Sequence, residues 1–149
     1  MASDAHQSVI RGAPTLSDIR AAAKRITPYV RRTPMISCAP VQSHREIAAS
    51  LWLRLECLQV VGSFKPRGAI NKLFSLPDRS SVRRLITASG GNHGLGVAYA
   101  ATVANVPSTI YVPTTTPAAK IKKLKRWNAD VIVSGDSWDD SNRLALDAA

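Results

Sequence analysis

Apolar residues recur along this chain with two periods, and the period switches at short stretches rich in glycine, proline or polar residues. In "LSDIRAAAKRI" Leu16, Ile19, Ala23 and Ile26 fall near one helical face, and Thr15 followed three residues later by Asp18 has the form of a capping box. Pro28 stops that helix. "RRTPMISCAP" reads as a loop from its prolines, whereas "ASLWLRLE" alternates large apolar residues with smaller or polar ones, as a strand does. Beyond it the order is regular. The pattern predicts a helix from about Pro66 to Leu76, a strand at "RLITAS", a helix from Asn92 to Asn105 and a strand at "STIYVP". It then predicts a helix from Pro117 to Trp127, a strand at "DVIVSG" and a helix from about Trp138 onward. Short β-branched runs alternating with helices imply an α/β fold, a parallel sheet with helices on both faces.

Composition narrows this picture. A chain of 149 residues that is 45% hydrophobic has the length and apolar content to bury a core as a single unit. "MASDAHQSVIRG" has no apolar run of signal-peptide length, and no segment reaches the roughly 20 apolar residues of a membrane span. A cytoplasmic protein is expected. Cys38 and Cys57 lack C-x-x-C spacing and a nearby histidine, so they read as free thiols, and no metal site is expected. Twenty Lys and Arg against ten Asp and Glu give a formal charge of +10, which raises polyanion binding as an alternative function. The distribution argues against it. The basic clusters fall in separate elements, and "KIKKLKR" reads as a helix with Ile121 and Leu124 facing inward and its lysines in solvent. No aromatic residues interleave with them, so nucleic acid is not an expected partner.

Two stretches carry candidate chemistry. In "TASGGNHGLGVAYAA" a strand ends at Ser89, and the glycines that follow let backbone N–H groups approach an anion at a helix N-terminus. The spacing is neither G-x-G-x-x-G nor a Walker pattern, and a purely structural tight turn explains it equally well. His93 by itself suits a helix cap as well as a catalyst. In "VVGSFKPRGAINKL", Pro66 marks a helix start, which sets Lys65 at the positive end of a helix beside Phe64. A cation is unfavourable there, and a neutral amine is a nucleophile able to form a Schiff base with an aldehyde. A surface lysine near a helix start is the alternative reading.

Taken together, "LECLQVVGSFKPRGAINKL", "ITASGGNHGLGVAYAA" and "VPTTTPAAKIKKLKRWNADVIVSG" resemble the threonine dehydratase and serine racemase group of pyridoxal-phosphate enzymes, fold type II. The resemblance runs from about Leu16 to the last residue, with the S-F-K-x-R-G-A and S-x-G-N-H-G elements in the family's order. It implies pyridoxal phosphate as cofactor, Lys65 as the catalytic lysine that joins the cofactor's aldehyde, Phe64 packed on the pyridine ring and Asn92 bonded to the cofactor's 3-hydroxyl. Ser89, Gly91, Asn92 and His93 match the loop that binds the substrate carboxylate. The implied reaction removes water and ammonia from L-serine or L-threonine to give a 2-oxo acid, with a small amino acid as substrate and a homo-oligomer as the full-length state. In the family's racemases a serine precedes G-N-H and works on the face opposite the lysine; here that position is Gly90. Val61, Pro66, Asn128 and Arg54 depart from the common pattern without removing an assigned group.

The resemblance also implies a domain organisation. Residues 1–13 read as a flexible leader and 14–149 as the N-terminal portion of a catalytic domain whose C-terminal half, with the glycine-rich phosphate cradle, is absent. The expectation is that this chain alone is catalytically silent, a non-catalytic remnant being the alternative.

Overall fold

The computed structural model describes residues 13–38 and 50–149; most of the expected leader lies outside them. Helix α1, Leu16–Ile26, begins as its sequence dictates: the Asp18 N–H donates to Thr15 Oγ1 at 3.2 Å, and the Thr15 N–H donates to the Asp18 carboxylate at 2.8 Å. Its apolar face is only partly used. Ile26 packs on the core, but Leu16 and Ile19 stay 60% and 56% exposed because no described element covers that end.

The loop expected over 31–40 contains a strand. β1, Met35–Cys38, pairs antiparallel with β2, Leu51–Arg54, setting Met35 opposite Arg54 and Cys38 opposite Leu51. Pro34 precedes the first strand residue, a position where a missing N–H costs no ladder bond, so the proline delimits the strand and does not exclude it. A short 3₁₀ turn, Glu56–Leu58, leads from β2 to α2, Lys65–Phe74.

From there the predicted alternation holds: β3 Leu85–Ala88, α3 Asn92–Ala104, β4 Ser108–Val112, α4 Ala118–Lys125, β5 Asp130–Val133 and α5 Trp138–Asp147. The three later strands form a parallel sheet in the order β3-β4-β5, with Leu85 opposite Ser108 and Thr109 opposite Asp130. Ser108, Thr109 and Ile110 are buried consecutively, so β4 is covered on both faces. On one face Ile110 and Val112 pack with Ala98 of α3 and Leu124 of α4. Right-handed crossovers put these two helices on the same side. α5, capped by Ser137 and Asp140 in a second capping box, lies against β3 and β4.

A second cluster, Ile70, Leu73 and Ala100, joins α2 to α3 and takes in Tyr29 and Leu85. Gly94, Gly96, Ala98, Ala100 and Ala101 make α3 thin enough for this approach, all of them buried. In α4 Leu124 is fully buried and Ile121 partly so, while Lys122, Lys123 and Lys125 face solvent as the sequence implies. Asn128 has φ of 55°. This left-handed turn explains why glycine is common there in the resembling family, and asparagine is the side chain that tolerates it best.

Candidate functional site

The site grows from the contact between the start of α2 and the start of α3. Lys65 is the first residue of α2, one position earlier than the proline suggests, with Pro66 behind it in the first turn. A side-chain carbon at Gly96 would lie 3.0 Å from both the carbonyl carbon and the Cβ of Lys65. The bare face of α3 therefore presses directly on the Lys65 backbone. Two residues earlier, a side-chain carbon at Gly94 would fall 2.0 Å from the Ser89 carbonyl oxygen, inside its van der Waals radius. The two glycines of "NHGLG" thus seat α3 against the loop leaving β3 on one side and against Lys65 on the other.

That loop ends in donors. Gly91 caps α3 without a side-chain hydrogen bond, and the first helical bond runs from the Leu95 N–H to the Gly91 carbonyl at 3.2 Å. The N–H groups of Asn92, His93 and Gly94 have no described partner, at the end of the helix where the dipole favours an anion. The Gly91 N–H itself points at Ser89 Oγ, 3.3 Å away.

Lys65 and His93 line one groove of about 400 Å³ between α2, α3 and β3. Partial burial, and then the positive charge of Lys65, hold the His93 imidazole below its ordinary value of 6.5, so it is neutral at pH 7. Lys65 Nζ lies 4.9 Å from the centroid of the Phe64 ring. Phe64 is 57% exposed, so it does not bury the amine; its ring face meets the ammonium. Asn92 lines a different groove, of about 410 Å³, with Val60, Val61, Gly62 and Leu95. The structure therefore gathers Lys65 and His93, sets Ser89 and Gly91 in the adjoining loop, and turns Asn92 to the neighbouring side of α3.

Several residues that position this site carry no isolated sequence signal. Arg67 donates through Nε and Nη2 to the two Glu56 oxygens at 2.9 and 2.7 Å, and Thr33 Oγ1 donates to the same carboxylate at 2.6 Å. The Arg67 hydrogen bond is the main reason the Glu56 carboxyl is held below its ordinary value, with Thr33 adding to it against some burial. Buried Gln59 accepts from the Arg31 N–H at 2.8 Å and donates to the Arg31 carbonyl at 2.9 Å. These bonds fix the segment that enters α2. Ser63 Oγ, two residues before Lys65, is buried without a partner among the described residues. Arg67 stands in the S-F-K-x-R-G motif, which signals its importance but not its partner; Thr116, packed over Gly90, has no signal beyond a threonine-rich turn.

Comparison with known proteins gives a consistent picture. A family described as "Pyridoxal-phosphate dependent enzyme" matches residues 26–149. The chain is 35% identical over 133 residues to a serine racemase of Oryza sativa subsp. japonica, covering 89% of this chain and 39% of that one. It is 39% identical over 127 residues to a catabolic L-threonine dehydratase of Staphylococcus aureus, covering 85% and 36%. Among solved structures it superposes on maize serine racemase with a TM-score of 0.76 at 33% identity, over 91% of this chain and 40% of the maize protein. A threonine deaminase from T.th. gives 0.75 at 34% identity, over 91% and 42%. The chain spans about two-fifths of the length of these relatives.

Proposed function

The chain belongs to the pyridoxal-phosphate-dependent enzyme family, and on that premise we infer that it carries the lysine-bearing part of a serine/threonine dehydratase. The groups present suit such a cofactor: an amine for its aldehyde, a turn of open N–H donors for an anion, and the buried, unpartnered Ser63 hydroxyl two residues before Lys65 in sequence. When bound, pyridoxal phosphate supplies an electron sink for a carbanion at the amino-acid Cα. The chain's own residues do the rest. Asn92, His93 and Gly94 offer N–H groups to the substrate carboxylate, which fixes the direction of the Cα–H bond. Lys65 would hold the cofactor through its amine and, with that amine free, would take the α-proton. The proton that Lys65 has taken would leave with the β-hydroxyl as water, and a second water would release ammonia to give the 2-oxo acid.

Elimination is favoured over racemisation by one observation. Racemisation needs acid–base groups on two faces, whereas elimination needs one base, and Gly90 brings no side chain to the second face. The space beside Gly90 is filled by Thr116.

The test joins residues 1–149 to the unmatched part of the Staphylococcus dehydratase and follows both products from L-serine by chiral chromatography. Pyruvate with little D-serine, lost in Lys65→Ala, is the expected result. D-serine at a rate comparable to pyruvate contradicts the reading.

A further inference from the structure

Loops leave the sheet at the C-terminal ends of β3, β4 and β5, and their contacts join them in a closed circuit. Trp138, the first residue of α5, donates its indole N–H to the carbonyl of Ala88, the last residue of β3, at 2.9 Å. Burial of the ring does not explain this placement. Trp138 is 55% exposed, as much as Trp52 at 56%, so the hydrogen bond sets the indole more than packing does.

The start of α5 gives that bond a fixed base. The Ser137 N–H donates to the Asp140 carboxylate and the Asp140 N–H to Ser137 Oγ, both at 3.2 Å, and buried Ser141 donates through Oγ to the Ser134 carbonyl at 2.8 Å. Gly135 lets the chain fold back this tightly: its φ is 83°, and a side-chain carbon there would lie 2.5 Å from Asp140 Cβ. The same turn is tied to the exit of β4, since the Thr114 N–H donates to the Gly135 carbonyl at 2.9 Å and Thr114 Oγ1 to Asp136 at 3.3 Å. Two residues on, the Thr116 N–H donates to the Pro113 carbonyl at 2.9 Å, and the Thr116 methyl sits over Gly90. The circuit thus returns to the loop that follows Ala88.

What the circuit encloses is the Ser89–Gly91 turn, whose consecutive glycines impose no conformation of their own. The indole grips its entry at the Ala88 carbonyl, Thr116 presses on its middle, and the bare Gly94 seats its start against α3. N–H donors serve an anion without reorganisation only when their backbone is held in this way.

We propose that Trp138 is a positioning residue: its indole holds the entry of the Ser89–Gly91 turn so that the N–H groups of Asn92, His93 and Gly94 stand in place for the substrate carboxylate. It acts through the Ala88 carbonyl and touches no substrate itself. This deepens the carboxylate role given to that turn under the proposed function, and rests on it.

The test uses the 149-residue chain with acetate as the carboxylate probe and sodium chloride at equal ionic strength as the reference. By NMR, the amide resonances of Asn92, His93 and Gly94 are expected to move saturably with acetate. Trp138→Phe keeps an aromatic ring and loses the donor; circular dichroism checks that it folds, and its acetate affinity is expected to fall at least about threefold. In the unaltered chain the Trp138 indole N–H is expected to exchange with solvent at least about tenfold more slowly than that of the equally exposed Trp52. An indole that exchanges as fast as that of Trp52 overturns the proposal whether or not the variant folds, and so does an unchanged acetate affinity in folded Trp138→Phe. Both of those results leave the carboxylate role of the turn standing. Absence of any acetate response at the three amides of the unaltered chain removes that role, and the proposal with it.

Discussion

The methyl group of Thr116 stands 2.9 Å from where a side-chain carbon at Gly90 would be, with the Thr116 hydroxyl at 3.4 Å. The two residues share one space, on either side of β4, and the threonine holds it. Gly90→Ala is therefore expected to cost about 1–3 kcal/mol by overpacking. In a Thr116→Ser background, which removes the methyl and keeps the hydroxyl, most of that cost should disappear, a coupling of at least about 0.5 kcal/mol. Urea unfolding of the four chains measures it. An equal cost in both backgrounds means the threonine is not what excludes a side chain.

A second pair of glycines separates close approach from mere helix position. Gly96→Ala drives a methyl into the Lys65 backbone at 3.0 Å and is expected to destabilise by about 1–3 kcal/mol. At Gly68 nothing lies within 4 Å of an added carbon, so Gly68→Ala should gain about 0.5–1 kcal/mol from helix propensity alone. Thermal or urea midpoints that move in the same direction for both would remove Gly96 from the positioning of Lys65.

How much of this the sequence carries differs by residue. The alternation that gives β3 to α5 is local, so periodicity finds it, and Lys65 is legible because Pro66 marks the helix start. β1 is hidden because Pro34 resembles a loop signal, and only its pairing with β2 reveals a strand. The face of α1 bearing Leu16 and Ile19 is plainly apolar in sequence, yet periodicity cannot say what covers it, and here nothing described does. The Gly90–Thr116 contact and the Arg67–Glu56 pair come from chain crossings, so each residue reads as ordinary until the topology brings them together. Phe64 shows the same limit: adjacency to Lys65 is visible in sequence, but which face of the ring the amine meets is not.

The Glu56–Arg67 pair gives a pH dependence. Arg67 holds the Glu56 carboxyl below its ordinary 4.5, so the unfolded chain takes up protons first as pH falls. The stabilisation is therefore complete above about 4.5 and is lost as pH drops through the lower folded value. Glu56→Gln should flatten this acid limb of a stability-against-pH curve, at a cost near neutrality of about 1–3 kcal/mol for the weakened charged hydrogen bonds. An unchanged acid limb in the variant contradicts the assignment.

His93 acts in a higher window. Burial and Lys65 depress its imidazole below 6.5, so the unfolded state binds the proton more readily and stability falls as pH drops below that value. In His93→Asn the stability between pH 7 and the acid limb should depend less on pH. NMR titration of the imidazole gives a direct check, and a midpoint at or above 6.5 rules out the depression.

Lys65, held by α3 at the first turn of α2, is proposed as the amine that meets the cofactor's aldehyde. The most direct measurement uses residues 1–149 joined to the unmatched part of the Staphylococcus dehydratase, incubated with pyridoxal phosphate and treated with borohydride to fix the amine–aldehyde adduct. Peptide mapping by mass spectrometry then locates the label among the lysines of this portion. One labelled peptide is expected, the one containing Lys65, and none in Lys65→Ala. Label at Lys72, or spread over the exposed Lys120, Lys122, Lys123 and Lys125 of α4 with Lys65 unmodified, contradicts it.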